Sequence, residues 1–194
     1  VAEDLKKVTD HEFTVEYGLP KDTDKINAIV IATLGKSAYL ESMEQAGKVE
    51  LSAIRGKREV YDFRVLEPAN GESHATLLIA GSDKRGTIYG LFHLSEIIGV
   101  SPWVWFADVM PAHKDVITLT QEDNQTSKEP SVKYRGFFIN DEWPCYGNWT
   151  HSHYNGFTAE MYDHIFEYLL RMKGNYLWPA MWTSNFLLDG PGLA

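Results

Sequence analysis

The order of strand-like and helix-like segments constrains the fold of this chain most. Residues 27–34 form a continuous apolar, β-branched run, which is typical of a strand buried on both faces. A helix is predicted over 37–46, and strands over 58–66 and 74–80, separated by a turn-forming Pro-Ala-Asn-Gly sequence at 68–71. Strands that alternate with helices in this way indicate an α/β layered domain.

Apolar spacing predicts the other elements of this domain. Helical periodicity predicts helices over 1–10 and 84–98, and alternation predicts a strand over 11–17. A last strand is expected over 116–119. We therefore assign residues 1–120 to an N-terminal mixed-sheet domain of the α/β class.

The remaining sequence predicts a second, unfinished structure. The polar stretch 121–130 lacks large apolar residues and ends in proline, so it is interpreted as an interdomain linker. Strands are predicted over 132–139 and 175–181 on either side of a helix over 158–173, and such strands run parallel with a right-handed crossover. The helix is expected to pack on them through Met161, Ile165, Tyr168, Leu169 and Met172. Two parallel strands cannot bury their sheet edges alone, so residues 131–194 are predicted to be the first βαβ unit of an incomplete (β/α)8 barrel.

Charge and composition exclude several classes of function. The net charge of -9 and the lack of a Lys/Arg cluster argue against nucleic-acid binding. No apolar run approaches the roughly 20 residues of a membrane span, and the first residues do not resemble a signal peptide. Cys145 is the only cysteine, which excludes an internal disulfide and a thiolate zinc cluster. No metal and no cofactor are predicted.

Two strand-to-helix turns partly match a phosphate-binding loop. At Gly35 the required upstream glycine is missing, and between Gly86 and Thr87 the lysine is missing. A nucleotide-binding domain is therefore a weak alternative. The second turn still predicts a helix N-terminus with Lys84 and Arg85 beside it, which would suit a carboxylate, although a plain capped helix is the favoured interpretation.

The end of the predicted strand at 132–139 carries the strongest chemical signal. Asn140, Asp141 and Glu142 follow it directly, at the end of a barrel strand where active sites lie. Neighbouring residues of a strand point to opposite faces, so at most one carboxylate is a direct catalyst. The alternative is that neither is, and that one caps the next turn while the other faces solvent. The histidines at 151 and 153 lie in the loop that follows, but their spacing does not indicate a metal site.

The next predicted strand ends in aromatic and amide side chains. Trp178, Trp182 and Asn185 would reach the same rim as the carboxylates and suit a sugar, because indoles stack on the apolar faces of pyranoses. The alternative for each tryptophan is that it packs in the hydrophobic core.

Five blocks of sequence resemble glycoside hydrolase family 115, the xylan α-1,2-glucuronidases. The blocks are TLGKS at 33–37, GSDKRGTIYG at 81–90, SPWVWFADV at 101–109, RGFFINDE at 135–142 and NYLWPAMW at 175–182. The resemblance implies a secreted or periplasmic multidomain enzyme that releases (4-O-methyl)glucuronic acid from glucuronoxylan or its oligosaccharides with inversion. It needs an acid and a base separated by roughly 6.5–9.5 Å.

On this resemblance, Asp141 and Glu142 are the candidate catalytic residues. The candidate sugar contacts are Lys84, Arg85, Asn140, Trp178, Trp182 and Asn185. The second carboxylate of the pair would lie beyond the chain, which is then expected to be inactive alone. The alternative function is that of a non-catalytic carbohydrate-binding module, which uses the same tryptophans without chemistry.

Overall fold

A computed structural model describes residues 1–18, 26–66, 68 and 74–188, which group into two units. Unit 1 comprises Val1–Val104 and Met110–Ser131, and unit 2 comprises Trp105–Val109 and Val132–Ala194. Each unit has a core of its own.

Unit 1 is built on a mixed four-stranded sheet. Its elements are α1 (Ala2–Thr9), β1 (Ala28–Thr33), α2 (Ala38–Gln45), β2 (Tyr61–Leu66), β3 (Thr76–Gly81), α3 (Lys84–Ile97), a 3-10 turn (Gln121–Asp123) and β4 (Gln125–Thr126). The sheet order is β1-β3-β2-β4, with β1 parallel to β3, and β2 antiparallel to both β3 and β4. The predicted mixed-sheet α/β class is confirmed.

Helices cover both faces of this sheet. On one face, β1 and β3 pack with α2 and the segment that follows it, through Val30, Ala32, Leu40, Met43, Leu51, Ile54, Leu78 and Ala80. On the other face, α3 lies so close that a Cβ at Gly90 would be 2.6 Å from the Cγ2 atom of Ile79 and 3.1 Å from the Cβ atom of Tyr61. A hydrogen bond of 2.7 Å from Ser95 to the buried Asp4 joins α3 to α1.

The predicted helices of unit 1 are confirmed within two residues, but two predicted strands are absent and the burial predicted for a third is wrong. Residues 11–17 and 116–119 form no strand, because alternation alone does not supply a neighbouring strand. The strand predicted to be buried on both faces is β1, which buries Val30 and Ala32 on one face and leaves Ile29 and Ile31 exposed on the other. The turn predicted at 68–71 lies outside the described residues except for Pro68.

The stretch 121–130, predicted as a linker, lies in unit 1 and forms β4 at the edge of its sheet. Thr126 donates a hydrogen bond of 2.6 Å to the carboxylate of Asp62, and the backbone N–H of Tyr61 donates one of 2.9 Å to Ser127. Polar side chains here satisfy buried groups of β2, which explains their presence in a strand. The domain limits proposed from the sequence stay predictions.

Unit 2 contains a parallel strand pair with two helices between the strands. Its elements are β5 (Gly136–Phe138), α4 (Tyr146–Tyr154), α5 (Ala159–Arg171) and β6 (Tyr176–Trp178). The parallel pairing of β5 with β6 confirms the predicted βαβ unit, whereas an eight-stranded barrel stays a prediction. Helix α4 was not predicted, since its sequence is rich in aromatic and polar residues and has little apolar periodicity.

Helix α5 packs its predicted apolar face into the core of unit 2. Met161, Ile165 and Leu169 are buried there, but Met172 is exposed, because it follows the last helical residue. The segment Trp105–Val109 also belongs to this unit. Trp105 stacks on His164 with ring centroids 4.0 Å apart.

Candidate functional site

The residues that follow β5 and β6 lie side by side. The backbone N–H of Ile139 donates a hydrogen bond of 2.9 Å to the carbonyl oxygen of Trp178, which continues the strand pairing by one residue. Because the strands are parallel, both carboxyl ends reach the same edge. We call residues 140–143 and 178–185 the β5–β6 rim.

Asp141 is fully buried at this rim and joins its two halves. Its Oδ2 atom accepts hydrogen bonds from the backbone N–H of Trp182 (3.0 Å), the backbone N–H of Thr183 (2.6 Å) and the hydroxyl of Thr183 (3.0 Å). Its Oδ1 atom faces the N–H groups of Met181 and Trp182, at 3.4 and 3.2 Å. Both carboxylate oxygens therefore bind the chain that follows β6.

Two opposing effects act on the pKa of Asp141. Burial raises it, but the hydrogen bonds from Thr183 and Trp182 outweigh burial, and the pKa lies below its ordinary value. The group is thus a carboxylate at neutral pH and has no proton to give to a leaving group.

Glu142 and Asn140 lie on either side of Asp141 and are exposed. This is the alternation expected of an extended chain. The carbonyl oxygen of Glu142 accepts a hydrogen bond of 3.3 Å from the N–H of Gly147, which fixes the backbone at the start of α4. Of the two candidate carboxylates, Glu142 is the one whose side chain reaches solvent.

Trp143 lies against α4 at a glycine. A Cβ atom at Gly147 would be only 2.7 Å from the Cε2 atom of Trp143, so this indole needs a residue without a side chain beneath it. The ring of His151 lies 5.2 Å away. Half of Trp143 remains exposed, which adds a third indole to the rim.

The two predicted tryptophans are not core residues, since Trp178 is 50% and Trp182 is 70% exposed. Trp178 meets Phe138 edge to face, with ring centroids 5.7 Å apart. The backbone that carries both indoles is also held by Tyr162, whose hydroxyl accepts a hydrogen bond of 3.0 Å from the N–H of Ala180. The rim therefore presents exposed indoles on a hydrogen-bonded backbone.

Asn185 has a local structural role. Its side-chain oxygen accepts hydrogen bonds from the N–H groups of Leu187 and Leu188, at 3.1 and 3.3 Å. This is an Asx-type cap of the turn that follows.

The predicted carboxylate seat at Lys84 and Arg85 belongs to unit 1 and is already satisfied internally. Asp83 caps α3, accepting 2.8 Å and 2.9 Å hydrogen bonds from the N–H groups of Gly86 and Glu59. Arg85 pairs with the buried Glu59 carboxylate at 2.6 Å, whereas Lys84 is exposed. The anion that suits this helix N-terminus is the protein's own Asp83.

Close packing explains the glycines that resemble a phosphate loop. A Cβ at Gly86 would be 2.3 Å from the carbonyl oxygen of Val60, and one at Gly81 would be 2.2 Å from the N atom of Thr87. These glycines let α3 approach the sheet, which weakens the nucleotide alternative.

The histidines after β5 lie on α4. His153 stacks on Trp149 with centroids 4.5 Å apart, and its Nδ1 atom lies 2.8 Å from the carbonyl oxygen of Trp149. Within the described ranges, the structure contains no group of three His, Cys, Asp or Glu residues that could hold a metal ion. Nor does any helix in that part of the chain have the length and apolar character of a membrane span.

Sequence reasoning missed two residues that shape the rim, Tyr162 and Thr183. The spacing of Tyr162 marks it only as part of the apolar face of α5, and Thr183 has no local pattern around it. Their roles depend on contacts with residues 18 and 42 positions away.

Comparison with known proteins supplies independent findings. The family model described as "Glycosyl hydrolase family 115" matches residues 127–194. The solved structure of BtGH115A, described as a family GH115 4-O-methyl-α-glucuronidase with specificity for decorated arabinogalactans, shares 34% sequence identity with the chain at a TM-score of 0.75. The alignment covers 93% of this chain and 22% of that one, so the chain spans about a fifth of that protein's length. No curated protein sequence matches the chain.

Proposed function

The chain belongs to glycoside hydrolase family 115, and we propose that it carries part of the site at which a longer enzyme removes (4-O-methyl)glucuronic acid from a polysaccharide side chain. The observation that carries the proposal is the β5–β6 rim, where one exposed carboxylate stands beside exposed indoles. Glycoside hydrolysis uses a pair of carboxyl groups, and flat apolar rings suit the binding of a sugar ring.

Glu142 is the carboxylate that meets the substrate in this proposal. Inverting hydrolysis uses one carboxylic acid to protonate the glycosidic oxygen and a carboxylate on the opposite side to activate water. Asp141 is buried and saturated with hydrogen bonds, so it fills neither role, whereas Glu142 is free to approach a sugar. The second member of the pair then comes from another part of the longer protein.

The indoles of Trp178 and Trp182 provide the stacking surface for the sugar ring, and Asn140 is the candidate partner for a sugar hydroxyl. Arg85 and Asn185, predicted as contacts, already have intramolecular partners in the structure. Lys84 remains a proposed sugar contact, and its exposure is the only structural observation that supports it.

The proposed substrates carry terminal (4-O-methyl)glucuronic acid. Glucuronoxylan oligosaccharides are the first choice, from the resemblance of the sequence blocks. Decorated arabinogalactan is the second, because BtGH115A has that specificity. The family also supports a secreted or periplasmic location for the longer enzyme.

A carbohydrate-binding module is the second candidate function, and the exposure of Trp178 and Trp182 favours it. The two functions differ in their need for Glu142. Binding by stacking survives the loss of a carboxylate charge, but acid–base chemistry does not.

Glu142→Gln in the full-length enzyme tests the proposal. We expect kcat for uronic acid release to fall by about 10²–10⁴-fold, the usual cost of removing a general acid or base. Glu160→Gln, an exposed glutamate in the first turn of α5, is the matched control and should retain kcat. The assay measures free glucuronic acid from glucuronoxylan and arabinogalactan oligosaccharides.

The possible results separate the two functions. A wild-type enzyme that binds the oligosaccharides without releasing uronic acid would favour the binding module. Normal turnover by Glu142→Gln would show that the chemistry lies elsewhere. The 194-residue chain alone is expected to release none.

A further inference from the structure

The backbone between residues 179 and 183 is fixed by the neighbouring strand and by α5. The carbonyl of Trp178 is bound by Ile139, and the N–H of Ala180 is bound by Tyr162, at 2.9 and 3.0 Å. Asp141 then binds the next three N–H groups and the hydroxyl of Thr183. Consecutive backbone donors thus point at one buried carboxylate.

An amide could not replace this carboxylate. Both oxygens of Asp141 face backbone donors, and an asparagine has only one oxygen; its NH₂ group would meet either the N–H groups of Met181 and Trp182 or those of Trp182 and Thr183. The contact therefore needs an ionised aspartate, and the loss of one oxygen releases part of the segment.

Within this chain, the Trp182 indole has less packing than the Trp178 indole. With 70% of its surface exposed, its indole has few neighbours to hold it, in contrast to Trp178, which meets Phe138 and donates a 3.4 Å hydrogen bond to the sulfur of Met181. The position of the Trp182 indole depends on its backbone, and Asp141 accepts the hydrogen bond of that backbone N–H.

We propose that Asp141 is a positioning residue that fixes residues 181–183, so that the Trp182 indole is held ready to stack on the apolar face of a pyranose, and that Asp141 takes no part in bond cleavage. This inference rests on the proposed function, because it assumes that the rim binds a sugar. A side chain held in its bound position loses less conformational freedom on binding. The benefit appears in KM and leaves kcat nearly unchanged, since stacking acts equally on substrate and transition state.

A double-mutant cycle in the full-length enzyme tests this inference. Asp141→Asn and Trp182→Ala should each raise KM for uronic-acid-bearing oligosaccharides by about 2–10-fold, the range expected for ordering one side chain. The double variant should be no worse than the weaker-binding single variant, because both changes remove the same stacking contact. Asp163→Asn, an exposed aspartate on α5, is the control and should change nothing.

Two kinetic results would overturn the inference. A loss of 10²-fold or more in kcat for Asp141→Asn that persists without Trp182 would make Asp141 a catalytic residue. Effects on KM that multiply in the double variant would show that Asp141 acts independently of Trp182.

Hydrogen exchange separates this inference from the proposed function. The amides of residues 181–183 should be protected in the wild-type chain and should exchange at least about 10-fold faster in Asp141→Asn. Thr183→Val removes only the hydroxyl donor and is the milder variant if Asp141→Asn does not fold; it should accelerate the same amides less. Equal exchange in all variants would refute the positioning role. Faster exchange combined with a wild-type enzyme that releases no uronic acid would refute the proposed function and the sugar-binding part of the inference, while retaining the fixed segment.

Discussion

Gly136→Ala should strongly destabilise unit 2, because β5 and β6 leave no room for a side chain there. A Cβ at Gly136 would lie 1.5 Å from the carbonyl oxygen of Tyr176 and 2.5 Å from its carbonyl carbon. Carbon and oxygen approach to about 3.3 Å even in close C–H···O contacts, so the strands would have to separate by roughly 2 Å. That movement breaks the hydrogen bonds Tyr176 N–H to Arg135 O and Ile139 N–H to Trp178 O.

The expected cost follows from these losses. Two backbone hydrogen bonds contribute about 0.5–1.5 kcal/mol each, and overpacking costs about 1–3 kcal/mol more, which gives about 2–6 kcal/mol in all. Gly47→Ala is the matched control: that glycine has φ +67° and open space around it, so alanine meets only the backbone penalty of about 1–2 kcal/mol, and in unit 1.

Tryptophan fluorescence during urea unfolding measures the effect. Five of the six tryptophans lie in unit 2, and only Trp103 lies in unit 1, so tryptophan emission mainly reports unit 2. Gly136→Ala should move the fluorescence transition to much lower urea or abolish it, whereas Gly47→Ala should leave that transition unchanged. A fluorescence midpoint equal to that of the wild type would refute the pairing of Gly136 with Tyr176.

Two further predictions concern pH. The lowered pKa of Asp141 means that its contribution to the stability of unit 2 is present above its ordinary value of about 3.9 and is lost as the pH falls through the lower folded value. The urea midpoint of unit 2 should therefore fall on acidification, and it should fall less steeply in Asp141→Asn. An equal dependence of the midpoint on pH in the wild type and the variant would contradict this. Burial raises the pKa of Tyr61 to about 12, so the stability of unit 1 should hold below about pH 10 and decline as the pH rises towards that value. Tyr61→Phe should reduce this alkaline decline, and phenolate absorbance of Tyr61 appearing at its ordinary pH would count against the burial argument.

Local periodicity predicted the elements whose burial depends on their own sequence. Helix α5 is an example, since Met161, Ile165 and Leu169 recur every four residues and are buried together. The predictions failed where pairing with a distant strand determines whether a segment forms a strand. Residues 11–17 alternate like a strand and pair with none in the described structure, whereas Gln125–Thr126 are polar and form β4 because β2 lies beside them. Pairing between distant segments leaves little trace in either segment alone.

At the candidate site, too, local sequence predicts some features, and contacts with distant residues determine the others. The alternation of an extended chain places the side chains of Asp141 and Glu142 on opposite sides, and this was predictable. Which of the two faces inward was not, because the answer lies in a backbone segment 41 residues later that brings its N–H groups to one side of β5. Those donors make Asp141 a buried, ionised acceptor and leave Glu142 outside. Two adjacent carboxylates that the sequence alone does not distinguish thus lie in different surroundings: Asp141 accepts backbone hydrogen bonds from the segment after β6, and Glu142 is exposed.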